Sequence, residues 1–302
     1  MVKMHLDQVD VSAEIVTRLV ADQFPGWSDL PVRPVASGGT VNALFRVGEE
    51  VILRLPLRPS ADPTMRESLR REQDNARWLA DVVSFEVPRP LGLGRPGDGY
   101  DGWWAAYDWI PGRPAELHRI GDQIGVANDL ARFVHEVRAV GTDGRRWDGY
   151  SRGGPLARLD DKVRKAFADS AGLLDVAPVA ETWDRCLAVD PHTGDDVWLH
   201  ADLMPGNLLV RDGRLAAVID LGSLCIGDPA VDLMPAWNLF DDGSRAAYRS
   251  VLAVDDATWE RGRGWAIAQA IVALPYYVDT NPHMTAVART TLTAVLAPDS
   301  EG

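Results

Sequence analysis

The run Trp198-Leu199-His200-Ala201-Asp202-Leu203-Met204-Pro205-Gly206-Asn207-Leu208-Leu209-Val210, followed by Leu215-Ala216-Ala217-Val218-Ile219-Asp220-Leu221-Gly222, constrains this chain more than any other stretch. Asp212-Gly213 lies between two short apolar runs, a strong local signal for a tight reversal, so Leu208–Val210 and Leu215–Ile219 are expected to pair as an antiparallel hairpin. That turn sets Asn207 opposite about residue 218, close to Asp220. Asp202 precedes the first strand, Asn207 starts it and Asp220 ends the second, so three polar groups are expected to converge. Two oxygen ligands for a hard cation and a separate carboxylate near an acceptor hydroxyl are what phosphoryl transfer from a magnesium nucleotide requires. Singly, an Asp or Asn beside Pro-Gly is an ordinary turn former, and only the joint pattern carries chemistry.

The surrounding text divides in two. Residues 9–24 carry Val11, Ile15, Val16, Leu19 and Val20 at helical spacing with Ser12 as a cap. Strand-like segments follow at Pro34–Ala36, Ala43–Val47 and Val51–Leu55, then a helix over 65–80 and a strand in Trp103–Ile110. Pro111-Gly112-Arg113-Pro114 breaks the pattern, and beyond it helical periodicity dominates at 122–140, 156–169, 177–189, 229–240, 244–252 and 257–277. The expected fold class is α+β: a small N-terminal antiparallel-sheet lobe over residues 1–110 and a larger, mostly helical C-terminal lobe over 111–302.

Composition excludes several classes. At 302 residues with 46% hydrophobic and 25% charged residues, the chain is an ordinary globular one, neither disordered nor fibrous. No window reaches the roughly 20 apolar residues of a membrane span, and the opening MVKMHLDQVD lacks the apolar core of a signal peptide, so a cytoplasmic protein is expected. The net charge of −13 argues against nucleic acid and favours a cationic partner, although an acidic surface also serves solubility. Cys186 and Cys225 have no metal-ligand spacing and fit a reducing compartment. There is no Walker G-x-x-x-x-G-K-[ST] motif.

His200, Asp202 and Asn207 fall on the H-x-D-x-x-x-x-N catalytic loop of the aminoglycoside phosphotransferase family, within the protein kinase-like superfamily, and Asp220-Leu221-Gly222 resembles its metal-binding D-x-G. The downstream Gly227-Asp228-Pro229-Ala230-Val231-Asp232-Leu233 resembles the G-D-P-x-x-D-L segment of the same family. The resemblance implies a two-lobed kinase-like fold over essentially the whole chain, with its hinge at about 105–112. It implies Asp202 as general base, His200 as support for the loop, and Asn207 and Asp220 as ligands of Mg2+ on an ATP or GTP donor. Asp228 and Asp232 are expected to stabilise the helix that starts near Pro229.

In the first lobe, strand alternation puts Ile52 and Arg54 on one face, where Ile52 is placed to pack on a nucleobase and Arg54 to reach phosphate. Arg54 stands where the family usually has lysine, keeping the charge but offering a bidentate fork. Glu72 sits on the apolar face of the 65–80 helix, costly to bury unless paired, and is preferred over Glu67 as the partner of Arg54. Ser37, Gly38 and Gly39 occupy the place of the nucleotide-covering loop, although a plain hairpin turn reads the same. Tyr107-Asp108-Trp109-Ile110 is expected to be the hinge, with Asp108 and Ile110 offering backbone groups to the base edge. Trp237, Trp259 and Trp265 are expected in the core.

The resulting expectation is a cytoplasmic small-molecule kinase of the antibiotic-resistance type, moving the γ-phosphoryl group of a nucleoside triphosphate to a hydroxylated, cationic acceptor, with an aminoglycoside leading. The alternatives are a macrolide, sugar or metabolite kinase, or an inactive nucleotide-binding regulator. Acidic residues of the last third, among them Asp241, Asp242, Asp255, Asp256, Glu260 and Asp279, suit a polycation, but a solvated face carries the same pattern.

Overall fold

The computed structural model describes residues 7–115 and 120–297. The chain divides into two compact units: one takes the chain up to Asp81, Glu86–Pro111 and Ile219–Gly222, and the other takes Val82–Phe85, Gly112–Val218 and the chain from Ser223.

The first unit opens with α1 (Ala13–Gln23), where Ser12 Oγ accepts the Ile15 N–H at 3.4 Å and Val16, Leu19 and Val20 are buried. Strands β1 (Val32–Val35), β2 (Asn42–Val47) and β3 (Val51–Pro56) are followed by α2 (Pro63–Ala80), then β4 (Pro90–Gly94) and β5 (Trp104–Asp108). The five strands form one antiparallel sheet in the order β1-β2-β3-β5-β4. One sheet face puts Phe45, Val47, Val51, Leu53 and Leu55 in a core with the buried stripe of α1. Period-2 alternation in β3 leaves Ile52 and Arg54 on the other face, as expected from the sequence. Asp62 caps α2 by accepting the Thr64 N–H at 2.8 Å, with Pro63 at the first helical position where its missing donor costs nothing. Gln73, buried on α2, donates to the Gly92 carbonyl at 2.8 Å and ties the helix to β4. The sequence pattern passed over β4 because Pro90, Gly92 and Gly94 read as breakers; as an edge strand it tolerates proline, and any Cβ at Gly94 would overlap the Trp104 indole.

The second unit contains β6 (Arg113–Pro114), α3 (Gln123–Arg138), α4 (Asp160–Ser170), α5 (Ala177–Ala188), β7 (Val197–Leu199), β8 (Leu208–Arg211), β9 (Arg214–Val218), β10 (Cys225–Gly227), α6 (Pro235–Asn238), α7 (Asp242–Leu252), α8 (Asp256–Tyr277) and α9 (Pro282–Ala294). The hairpin expected around Asp212-Gly213 is β8–β9, with Leu208 opposite Val218 and both turn residues at positive φ. β6 extends it to three strands, and β7 pairs with β10. Helix α8 is apolar around most of its circumference and packs against α4, α5, α6 and α9. Trp237, Trp259 and Trp265 are buried, as expected of core residues.

Further details differ from the sequence pattern. The expected helix over 229–240 is a 3-10 turn, Pro229–Leu233, followed by the short α6, because Pro235 lacks the N–H an uninterrupted helix needs. Helix α9 shows no clear period in the sequence because its threonines are weak helix formers and only Ala288, Thr291 and Leu292 of it are buried. Strands β7 and β10, three residues each, are too short for any period to register.

Candidate active site

In the first unit the site is an ionic cluster. Arg54 on β3 pairs through Nη1 with Glu72 Oε1 on α2, and its Nη2 lies 3.2 Å from Asp220 Oδ1. The Tyr107 ring of β5 lies 5.8 Å from the guanidinium carbon. Asn75, one turn beyond Glu72, donates to the Leu221 carbonyl at 3.0 Å and fastens the Ile219–Gly222 segment to α2. Burial opposes the Arg54 charge, but the Asp220 and Glu72 carboxylates outweigh it and hold the guanidinium above its ordinary value. Burial pushes the Glu72 carboxyl up, and Arg54 pulls it only part of the way back. The sequence anticipated the Arg54–Glu72 pair; Asn75 carried no signal beyond its helical position.

Ile52 lies opposite Tyr107 in the β3–β5 ladder. Ser37, Gly38 and Gly39 lie in the link between β1 and β2, where Ser37 Oγ accepts the Gly39 N–H at 2.9 Å. Asp108 ends β5 with its carboxylate turned back on the Arg89 N–H at 2.5 Å, and burial pushes that carboxyl up. Ile110 is buried.

In the second unit, the loop from His200 to Asn207 is clamped from below. Asp232, fully buried, accepts the His200 N–H at 2.9 Å through Oδ2 and the Ala201 N–H at 2.8 Å through Oδ1. Burial pushes the Asp232 carboxyl up against the pull of His200, Arg138 and these two donors. His200 is itself buried, its Nδ1 accepting the Asp202 N–H at 3.2 Å and its ring edge-on to Phe133. Ala201 takes φ +63°, a left-handed conformation that bends the chain so that Asp202 leaves the clamp. The sequence expects Asp232 to serve its own helix; it holds the His200–Asn207 loop instead, while Asp228 does cap its turn by accepting the Ala230 N–H at 2.9 Å.

Three side chains converge on Asp202. Arg152 Nη1 pairs with its Oδ1 and Gln269 Nε2 donates to the same oxygen at 3.2 Å, while Asn207 Nδ2 donates to the Asp202 carbonyl at 2.9 Å and approaches Oδ2 at 3.4 Å. Neither Arg152 nor Gln269 was visible in the sequence, lying 50 and 67 residues from Asp202 with no motif around them. Because the Asn207 amide commits Nδ2 to Asp202, its carbonyl oxygen Oδ1 remains as a hard ligand, and among the described residues no hydrogen bond engages it. Asn207 directly precedes Leu208, and Asp220 follows two residues after Val218, the partner of Leu208. Among the described residues no three His, Cys, Asp or Glu side chains gather as a metal cluster. Mg2+ does not need one, since it is bound through one or two protein oxygens plus phosphates and water, and the Asn207 carbonyl oxygen is of that donor type. Burial pushes the Cys186 and Cys225 thiols up to about 12, which keeps both protonated.

Among the described residues, no helix is long and apolar enough to cross a membrane. The model of the "Phosphotransferase enzyme family" matches residues 32–265. An aminoglycoside 3'-phosphotransferase of Escherichia coli is 24% identical over 181 residues, 57% of this chain and 64% of that protein, so the match falls just short of two thirds of the relative's length. One of Salmonella typhimurium is 22% identical over 69% of this chain and 76% of its own. Among solved structures, the GDP and kanamycin complex of an aminoglycoside 2''-phosphotransferase superposes with a TM-score of 0.68 at 18% identity, covering 93% of this chain and 97% of that one. A macrolide 2'-phosphotransferase of Brachybacterium faecium superposes with a TM-score of 0.62 at 22% identity, covering 96% and 99%. These likenesses identify the fold as protein kinase-like, and with the family model spanning most of its length, the chain belongs to the phosphotransferase enzyme family.

Proposed function

We propose that this protein transfers the γ-phosphoryl group of ATP or GTP to a hydroxyl of a small molecule, with an aminoglycoside antibiotic as the leading acceptor and drug resistance as the consequence. The observation that carries the reading is Asp202, held on a clamped loop with Arg152 and Gln269 on Oδ1, while Oδ2 has one long contact, 3.4 Å from Asn207 Nδ2, and keeps room to accept a proton. In this reading the nucleotide belongs to residues 1–110, with Ile52 against the base, the Asp108 to Ile110 backbone at its edge, Ser37, Gly38 and Gly39 over the phosphates, and Arg54 paired to Glu72 as the phosphate cation. Asn207 and Asp220 would hold Mg2+, which when bound neutralises charge on the phosphates. His200 supports the loop from its buried position, and Asp202 takes the proton of the attacking hydroxyl. A nucleoside triphosphate donor and two free cysteines fit a cytoplasmic setting.

A second acceptor, a macrolide or another less cationic molecule, is favoured by one feature. The Asp202 carboxylate is already paired with the Arg152 guanidinium, so a polycation gains less from it than the net charge of −13 suggests. The acidic residues of the last third serve structure in part: Asp241 and Asp255 are helix caps. Nucleotide turnover measured against aminoglycosides, macrolides and small sugars decides between them. Turnover with aminoglycosides alone supports the leading reading, turnover with macrolides alone supports the second, and inertness with all acceptors removes both.

A further inference from the structure

We propose that Arg152 is a positioning residue for Asp202: together with Gln269 it saturates Oδ1, and thereby assigns Oδ2 as the atom that receives the acceptor's hydroxyl proton. The proposal rests on the reading of Asp202 as the base. A carboxylate oxygen has two good acceptor directions, and Oδ1 has two donors, Arg152 Nη1 and Gln269 Nε2, the latter at 3.2 Å. Oδ2 has one long approach, 3.4 Å from Asn207 Nδ2, whose better bond at 2.9 Å goes to the Asp202 carbonyl. Among the described residues, no other donor is paired with Oδ2. The proton therefore has one place to go. As the acceptor oxygen bonds to the γ-phosphorus, the bond from that phosphorus to the bridging oxygen breaks with its electron pair leaving on the nucleoside diphosphate, and the hydroxyl proton ends on Asp202 Oδ2.

Arg152 is built for this rather than lying there by chance. Its Nη1 also donates to the Ala201 carbonyl at 3.0 Å, so it grips the side chain of Asp202 and the strained residue before it. The loop that carries it is braced on both sides. Asp148 accepts the Tyr150 and Ser151 N–H groups, each at 2.8 Å, and the Trp147 indole donates to the Ser151 carbonyl at 2.8 Å. Cys225 Sγ donates to the Arg152 carbonyl at 2.8 Å, and the Gly153 carbonyl accepts the Asp228 N–H at 2.9 Å. Asp228 is in turn anchored by Arg261 at 2.7 Å, both buried. A buried ion pair thus fixes a glycine, the glycine fixes its neighbour Arg152, and the arginine orients Asp202. The sequence motifs absorbed Asp228 as a cap and missed this second use.

Two perturbations test the chain of contacts at different points. R152A removes the guanidinium. G227A leaves Arg152 and Asp202 intact but places a Cβ 2.5 Å from the Gly153 carbonyl oxygen, so the loop must move. Crystal structures of the wild type and both variants are compared for the Asp202 side chain, and steady-state kinetics and nucleotide affinity are measured on each. The expected result is a rotated Asp202 carboxylate in R152A and a fall in kcat of about 100-fold. Acceptor KM and nucleotide affinity stay within about twofold, R152K recovers part of the rate, and added guanidinium chloride restores R152A. G227A should lower kcat in the same direction. Unchanged kcat in R152A overturns the proposal, as does a raised acceptor KM with kcat intact, which would make Arg152 an acceptor-binding group. If R152A does not fold, R152K and G227A carry the test, and wild-type kcat in both overturns it. Should the wild type turn over no acceptor, the functional reading falls by itself, and the crystal structures still decide the positioning: an identical Asp202 rotamer in wild type and R152A refutes it.

Discussion

Arg54 Nη2 lies 3.2 Å from Asp220 Oδ1 while Nη1 of the same guanidinium pairs with Glu72, so one arginine holds a strand, a helix and the segment after the hairpin together. The fork geometry makes this possible, since two separate nitrogens serve two separate carboxylates. A lysine, with one nitrogen, could not reach both in the same way.

R54A leaves Glu72 and Asp220 as neighbouring carboxylates without their cation, and should lower unfolding stability by about 3 kcal/mol, read from urea melts. R54K should fall between. A double-mutant cycle of R54A with E72A should show coupling of about 1 kcal/mol or more; strict additivity would separate the two residues.

D202A should lower kcat by about 100-fold or more while nucleotide affinity stays within about twofold, because the base acts on the acceptor and not on the nucleotide. Single-turnover kinetics with calorimetric nucleotide titration check both halves. An unchanged rate removes Asp202 from the chemistry.

D232A should leave the His200 and Ala201 N–H groups buried without their acceptor, at a cost of about 3 kcal/mol, and should free the His200–Asn207 loop. Hydrogen exchange reads this directly: faster exchange at these two amides is expected, with slow exchange in D232A as the outcome that contradicts the clamp.

A201V should destabilise the chain and impair catalysis, since φ +63° is a genuine outlier for a β-branched residue, whereas A201G should retain activity. Melting temperature and turnover on the two variants provide the comparison; A201V behaving as A201G would contradict it.

Asp241 and Asp255 cap α7 and α8, and hydrogen bonds from Ser244 and from Thr258 respectively hold their carboxyls below the ordinary value of 3.8. A carboxyl depressed in the folded state adds stability that is present above its unfolded value and is lost as pH falls through its folded one. D241N and D255N keep a capping oxygen that cannot titrate, so stability at pH near 7 should hold while the loss on acidification becomes shallower. Urea melts across the acid range measure this, and an unaltered acid slope would count against the caps.

The elements legible in the sequence were those with a strong local period or a compulsory turn. Ser12 before Val16, Leu19 and Val20 announced α1, and Asp212-Gly213 announced the β8–β9 hairpin, although the irregularity between Leu209 and Val210 brings Leu208 rather than Asn207 opposite Val218. Alternation in β3 put Ile52 and Arg54 on one face, and the cost of burying Glu72 alone pointed to Arg54. Short strands such as β7 and β10 left no trace, because three residues cannot display a period and their pairing is set by distant partners.

The sequence by itself determined the hairpin after Asn207 and the ion pair of the first unit, because turn residues, alternation and charge act over a few neighbouring positions. Only the tertiary structure decided what holds Asp202. Arg152 and Gln269 stand 50 and 67 residues away, and Asp232 reaches the backbone of His200 across 32 residues. Contacts of that separation depend on how helices and loops pack, and packing is a property of the whole folded chain that no local pattern encodes.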